Sequence, residues 1–250
     1  MTRSNSARRA STASPCAEDL ARNLTEVRAR IAAAAQRAGR DPAEVRLVAV
    51  SKTVSPQTAA LLVDAGQLLL GENRVDRFLE KHEAIPAAQI HLIGSLQTNK
   101  VRYVVGRTPL IHSVDSQRLL EKIDARAAAL DIIQPVLLEV NISGEGSKHG
   151  LTPQGARELV DAVAVGALAC SHLLVNGLMT MAPLDSPEAV RWVFRELRRL
   201  RDELRQRSRG AQILLEELSM GMSNDFEVAV EEGATLVRIG TALFKETDRR

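Results

Sequence analysis

The sequence predicts an α/β fold, a single (β/α)8 TIM barrel with an additional N-terminal helix. Three observations carry this. Eight short apolar runs alternate with helical patterns along the chain. Some of the runs are apolar nearly throughout, as parallel strands covered on both faces are. The alternation fills about 200–250 residues, the size of one such barrel. A doubly wound open sheet is the alternative arrangement of the same units.

The first helix is expected over residues 18–39. Leu20, Leu24, Val27 and Ile31 repeat at helical spacing on one stripe, and Gly39 follows as a stop. The strand runs are then VRLVAVSK, QLLLGEN, QIHLIGS, PLIHSVD, PVLLEVNIS, LLVNGLMTM, LLEELSMGMS and LVRIGTALF. Between them, Ser55-Pro56, Thr152-Pro153 and Ser186-Pro187 each pair an N-cap with proline at the first helical position. Asn224 with Glu227 has the spacing of a capping box. Gly66 and Gly233 stand where helices should stop. The arginine-rich stretch after Ser186 carries Val190, Val193, Phe194, Leu197, Leu200 and Leu204 at helical spacing. It reads as an amphipathic outer helix with a solvated basic face. No linker or composition shift follows the first 18 residues, so the expected division is a disordered tail, 1–17, and a barrel domain, 18–250.

Composition narrows the function. The net charge of +2 gives no support to nucleic acid or an acidic membrane as partner. Aromatic residues make up 2% of the chain, too few for base-stacking platforms. Cys16 and Cys170 are the only cysteines, so there is neither a disulfide framework nor a cysteine zinc cluster. No apolar stretch has membrane-spanning length. The first residues carry arginine and serine without an apolar core, which reads as the tail of a cytoplasmic protein, with a transit peptide as the alternative.

In a barrel of this kind the active site lies at the C-terminal ends of the strands. The first strand ends on Lys52, which has two readings: a lysine that snorkels to the surface, or an amine placed to attack a carbonyl and form a Schiff base. The segments SMGMSND and RIGTA fall after strands seven and eight, where barrels often bind phosphate. Ser223 offers a hydroxyl, Gly240 and Thr241 offer backbone N–H groups, and the helix expected after Asn224 offers its N-terminus. A Schiff-base lysine beside a phosphate cup points to pyridoxal 5′-phosphate (PLP). Arg238 shares a strand face with Gly240 and can meet the pyridine nitrogen, where a permanently charged donor would disfavour ring protonation. Its structural alternative is an ion pair with a barrel carboxylate such as Glu139. His91 and His112 lie within apolar strands and read as hydrogen-bonded core residues. No His and carboxylate pair has metal spacing.

VAVSKT, GEN, HLIGSLQTNK, VNISGEGSKHG, GLMTM, LSMGMSND and VRIGTALF, in this order over about residues 20–245, resemble the pyridoxal phosphate homeostasis protein family, also called the YggS or PROSC family. The resemblance implies a monomeric barrel like the N-terminal domain of fold-type III alanine racemase, with PLP held covalently. It implies Lys52 as the Schiff-base lysine, Ser223, Gly240 and Thr241 at the phosphate, and Arg238 at the pyridine nitrogen. Asn73 and Met179 would line the ring pocket, and Lys148 would sit on a loop near the mouth. After GEN the family commonly has a tyrosine and a Gln-Glu pair. Here Arg74-Val75-Asp76-Arg77 stands instead, a departure at the rim and not at the cofactor.

The expected function is PLP homeostasis without evident turnover, holding the cofactor and delivering it to PLP-dependent apoenzymes. The alternatives are a PLP-dependent amino-acid racemase and a cofactor-free Schiff-base lyase. A racemase needs a second acid–base group, and the only tyrosine, Tyr103, is expected on an exterior helix. The lyase gives Arg238 no task.

Overall fold

In the computed structural model, residues 15–146, 149–208 and 210–245 are described. Most of the expected tail, and Lys148, lie outside them. Eight parallel strands close on themselves in sequence order: β1 (Arg46–Val50), β2 (Leu69–Glu72), β3 (Gln89–Leu92), β4 (Ile111–Val114), β5 (Gln134–Glu139), β6 (Leu173–Met179), β7 (Ile213–Ser219) and β8 (Leu236–Ile239). The closing pair is β8 with β1, in the register Arg46↔Leu236 through Ala49↔Ile239. That pair excludes the open sheet. Between the strands run α2 (Pro56–Asp64), α3 (Val75–Ala84), α4 (Val101–Val104), α5 (Gln117–Ala128), α6 (Pro153–Ala164), α7 (Pro187–Arg207) and α8 (Phe226–Glu231). The extra helix α1 (Ala17–Arg37) precedes β1, and the short α9 (Thr241–Phe244) follows β8.

The strands are apolar on both faces because both faces are covered. Val48, Leu110, Leu137, Met179 and Leu236 form a layer inside the barrel. The other strand face joins the helices in the large outer core, which includes Leu47, Ala49, Leu70 and Ile239.

The helix starts follow their caps in part. Ser55 Oγ accepts from Thr58 N and Thr152 Oγ1 from Gly155 N, while Ser186 occupies the N-cap without a side-chain bond. Gly66 and Gly233 have φ of 88° and 105°, the left-handed turn their stop role requires. The Asn224 capping box does not form. Asp225 is the N-cap of α8, its carboxylate accepts from Met222 N at 2.6 Å, and Glu227 instead pairs with Arg30 of α1. The last strand is shorter than its apolar run: after Ile239 the chain turns at Gly240 into α9.

The buried stripe of α7 is the expected one, Val190, Val193, Phe194, Leu197, Leu200 and Leu204. Its basic face is less free than a solvated stripe. Arg191 pairs with Glu188, Glu231 and Glu232, and Arg195 and Arg198 also reach Glu232. The arginines thus tie α7 to the end of α8.

Helix α1 lies over α8 and α9 with Leu20, Leu24, Val27 and Ile31 inward. Its buried Asn23 donates through Nδ2 to the carbonyls of Leu243 and Lys245, both at 2.9 Å. Those are carbonyls the last turn of a helix leaves unpaired. Arg40, just past α1, donates to the carbonyls of Val230 and Ala234 at 2.7 and 3.0 Å. The added helix therefore holds the chain segments on both sides of β8.

Candidate functional site

A cavity of about 620 Å³ opens at the C-terminal mouth of the barrel. That volume lies within the range of small-molecule sites, roughly 300–1,000 Å³. Its lining includes Lys52 beyond β1, Asn73 beyond β2, Glu139 of β5, Ser223 beyond β7, and Arg238, Gly240 and Thr241 around β8. Six of the seven residues expected from the sequence therefore converge on one cavity.

Met179 is the exception. It is 1% exposed and packs in the layer below, with Val48, Leu137 and Leu236. Side chains alternate along a strand, and Met181, two residues further on, lines the cavity where Met179 was expected.

The backbone explains how these side chains come together. Lys52 is exposed, one residue after the fully buried Ser51. Ser51 is held from behind the barrel wall. Lys81 of α3 donates to the Ser51 carbonyl at 2.8 Å and to Glu72 Oε1 at 2.5 Å, and Ser51 Oγ donates to the same oxygen at 2.7 Å. Both charged side chains are 0% exposed. The end of the first strand is thus fixed by a second, wholly buried lysine that the sequence reading passed over. The signal was available, as an acid in GEN with a lysine on the following helix.

Asn73 is placed by a close approach. A Cβ on Gly94 would lie 2.3 Å from the Asn73 carbonyl oxygen, so glycine lets the ends of β2 and β3 meet. Gly240 also serves the closure of the barrel. A Cβ there would meet the Val50 carbonyl oxygen at 3.0 Å, so its missing side chain first serves the β8–β1 contact. The loops after β7 and β8 touch where Ala242 N donates to Ser223 Oγ at 3.5 Å. On the loop after β5, Asn141 Oδ1 accepts from Ser143 Oγ and Gly144 N, and its Nδ2 donates to the Glu145 carbonyl. The helix expected at the phosphate loop is short and begins at Phe226.

Arg238 makes no ion pair with Glu139. It is 4% exposed and donates to Ser219 Oγ at 2.6 Å and to the Thr180 carbonyl at 2.9 Å. A guanidinium carries five N–H donors, so donors remain beyond these two contacts. Burial lowers its pKa to about 10, opposed by Asp225 and Glu139, so it stays a cation at neutral pH. Burial also pushes the Glu139 carboxyl up, with Asp115 adding to the rise and Arg238 opposing it. The Asp225 carboxyl is likewise raised, first by burial. The floor of the cavity is therefore one anchored cation with two carboxyls of reduced acidity. The lining fits PLP by its chemistry: an exposed amine, a buried guanidinium with spare donors, and two hydroxyls on adjoining loops.

Below the cavity His91 and His112 do form a hydrogen-bonded pair, Nδ1 to Nε2 at 2.9 Å. Burial lowers His91 to about 3 and His112 well below its usual value. A histidine held neutral when folded takes up its proton on unfolding. Stability is expected to fall as pH drops below the unfolded value of about 6.5, by roughly 2 kcal/mol per imidazole between pH 7 and 5. Urea titrations at those two pH values read this. A midpoint that is unchanged, or higher at pH 5, contradicts it.

Among the described residues no group of three or more His, Cys, Asp or Glu side chains could hold a metal ion, and no helix is long and apolar enough to cross a membrane. The family model described as alanine racemase, N-terminal domain matches residues 22–248. A curated relative from Aquifex aeolicus, named pyridoxal phosphate homeostasis protein, is 47% identical over 89% of this chain and 96% of its own. The solved structure of PipY from Synechococcus elongatus PCC7942 with PLP bound is 33% identical, with a TM-score of 0.77 over 90% of this chain and 100% of that one. The alanine racemase of Corynebacterium glutamicum is similar in fold alone. It is 17% identical with a TM-score of 0.68, and the match covers 91% of this chain but 61% of the racemase.

Proposed function

The chain belongs to the pyridoxal phosphate homeostasis protein family, and from that membership we propose that it binds PLP in the mouth of the barrel and takes part in PLP homeostasis. The observation that carries this is the meeting of Lys52, Ser223, Arg238, Gly240 and Thr241, from three strand ends, around one cavity. The barrel together with α1 acts as the one cofactor-binding unit. Bound PLP supplies an aldehyde that an amine can capture.

Lys52 provides the amine, on a strand end that Lys81 and Glu72 hold in place. Ser223 and Thr241 hold the phosphate through their hydroxyls, with the backbone of Gly240 and Thr241. Each hydrogen bond to a charged group contributes roughly 1.5–3 kcal/mol net. Arg238 meets the pyridine nitrogen as a donor-only cation, which keeps a proton off the ring and suits storage better than carbanion chemistry. Asn73 lines the ring pocket. The exposure of Lys52 leaves its linkage open to water, as transfer to apoenzymes requires. The chain acts as a monomer in the cytoplasm. The curated relative is named for homeostasis, with no reaction in its name. Tyr103 lies on α4 outside the cavity, its hydroxyl accepting from Arg102, and provides no second base.

The test is the visible spectrum of the purified protein with PLP, followed by borohydride. A yellow species that bleaches and leaves a covalent adduct is expected. Ser223→Ala is expected to retain the adduct but lose PLP about tenfold faster on dialysis against phosphate without borohydride. Retention equal to wild type would place the phosphate elsewhere.

A further inference from the structure

Arg238, Ser219, His112 and His91 form a continuous hydrogen-bonded file down the barrel axis. Arg238 meets Ser219 Oγ at 2.6 Å, Ser219 Oγ meets His112 Nδ1 at 2.8 Å, and His112 Nε2 meets His91 Nδ1 at 2.9 Å. All four residues are buried, at 4%, 0%, 0% and 4% exposure. The three strands that carry the last members, β7, β4 and β3, need no such polar groups to close a barrel, whose interior is ordinarily filled by branched apolar side chains.

The direction of the file is fixed at one end. A guanidinium only donates, so Ser219 Oγ accepts from Arg238. A buried hydroxyl proton left without an acceptor costs about 1–3 kcal/mol, and the remaining partner of Ser219 is His112 Nδ1. The hydroxyl therefore donates to Nδ1, which must be bare. His112 then carries its proton on Nε2 and donates to His91 Nδ1, and His91 in turn carries its proton on Nε2. A further proton on His112 would sit on Nδ1, turn the serine hydroxyl away, and set a second cation beside Arg238. At the far end His91 lines a separate cavity at the N-terminal mouth, with Arg46 and Gln89.

We propose that Ser219, His112 and His91 are positioning residues for Arg238: a one-way chain of neutral imidazoles that fixes the serine lone pair on which the guanidinium rests, and so its aim at the cavity. The functional part rests on the reading that Arg238 faces the PLP ring. The tautomers follow from the chain alone. With the serine proton committed to His112, a lone pair is held toward Arg238, and the Thr180 carbonyl supplies the second point that sets the plane of the fork. Without His112 the hydroxyl turns to find another acceptor, and one of the two points is lost.

Two measurements test this separately. The first needs no ligand. In protein with ¹⁵N-labelled histidine, His91 and His112 are expected as neutral Nε2–H tautomers at pH 7. Arg238→Met is expected to release the constraint and populate both tautomers of His112. An Nδ1–H or charged imidazole in the wild type would overturn the chain, and so would an unchanged single tautomer in Arg238→Met. The second uses PLP. His112→Leu is expected to weaken PLP binding about tenfold and shift the visible band. His112→Asn, whose side-chain oxygen can take the place of Nδ1, is expected to recover both. His112→Leu with wild-type affinity and spectrum would overturn the positioning role. So would a loss that Asn does not recover, given equal thermal melts for the two variants. If the wild type itself bound no PLP, the cofactor reading would fall and the tautomer result would decide the chain by itself.

Discussion

Lys81→Met is expected to destabilise the protein by about 3–5 kcal/mol, because it leaves Glu72 as a buried, unpaired carboxylate. The pair has no access to water, and Glu72 Oε2 already lacks a partner. The loss would be a large share of a typical 5–15 kcal/mol stability. Urea titration at pH 7 measures it, and the double variant Lys81→Met/Glu72→Leu separates the causes. With no charge left to bury, the double variant should recover most of the loss, since a buried ion pair replaced by apolar groups is often neutral. A single variant with the wild-type midpoint would show that the pair contributes nothing. A second consequence is local. Lys81 also holds the carbonyl of Ser51, so the single variant should bind PLP more weakly even where it is fully folded.

Lys52→Ala is expected to abolish the borohydride-trapped adduct while leaving stability within about 0.5 kcal/mol, as substitutions at exposed positions usually do. The two lysines stand on either side of the same strand end and should fail in opposite ways. Loss of Lys81 removes stability, and loss of Lys52 removes covalent chemistry. Intact-mass analysis after reduction decides it. An adduct at the wild-type level in Lys52→Ala would mean that another amine captures the aldehyde, and the assignment would be wrong.

Much of the barrel was legible because two periods alternate in the sequence. Each of the eight apolar runs overlaps a strand, and the stripes of α1 and α7 are buried residue for residue. Boundaries were less legible. LVRIGTALF is apolar to its end, and nothing in its pattern says that the chain leaves the sheet at Gly240 to start α9. The cap of α8 fell to Asp225 because its carboxylate closes the turn from Met222, a contact that spacing rules do not weigh. At the site, strand ends gave six lining residues, since an end is where an apolar run meets a polar residue. Met179 missed because alternation identifies the face of a strand but not the height along it. The buried ion pair and the histidine file were hidden for other reasons. The ion pair spans only the step from β2 to α3, and its partners are nine residues apart, but an apolar-period reading does not look for a charged pair inside the wall. The file joins β3, β4, β7 and β8, and only the closed barrel sets those residues side by side.

The hold of α1 on α8 and α9 gives the chain an order of assembly. On the ribosome, N-terminal segments emerge first, so the amine of Lys52 emerges long before Ser223, Arg238, Gly240 and Thr241 exist. The last seam, β8 against β1, joins the most distant parts of the barrel, and contacts of such long sequence separation form slowly. Until that seam closes and Asn23 donates to the carbonyls of Leu243 and Lys245, the cavity that Lys52 shares with Ser223, Arg238, Gly240 and Thr241 is not assembled. On the proposed reading, a nascent chain presents the lysine without the means to retain the vitamin, and capture of the cofactor becomes a mark that translation has run through the last strand.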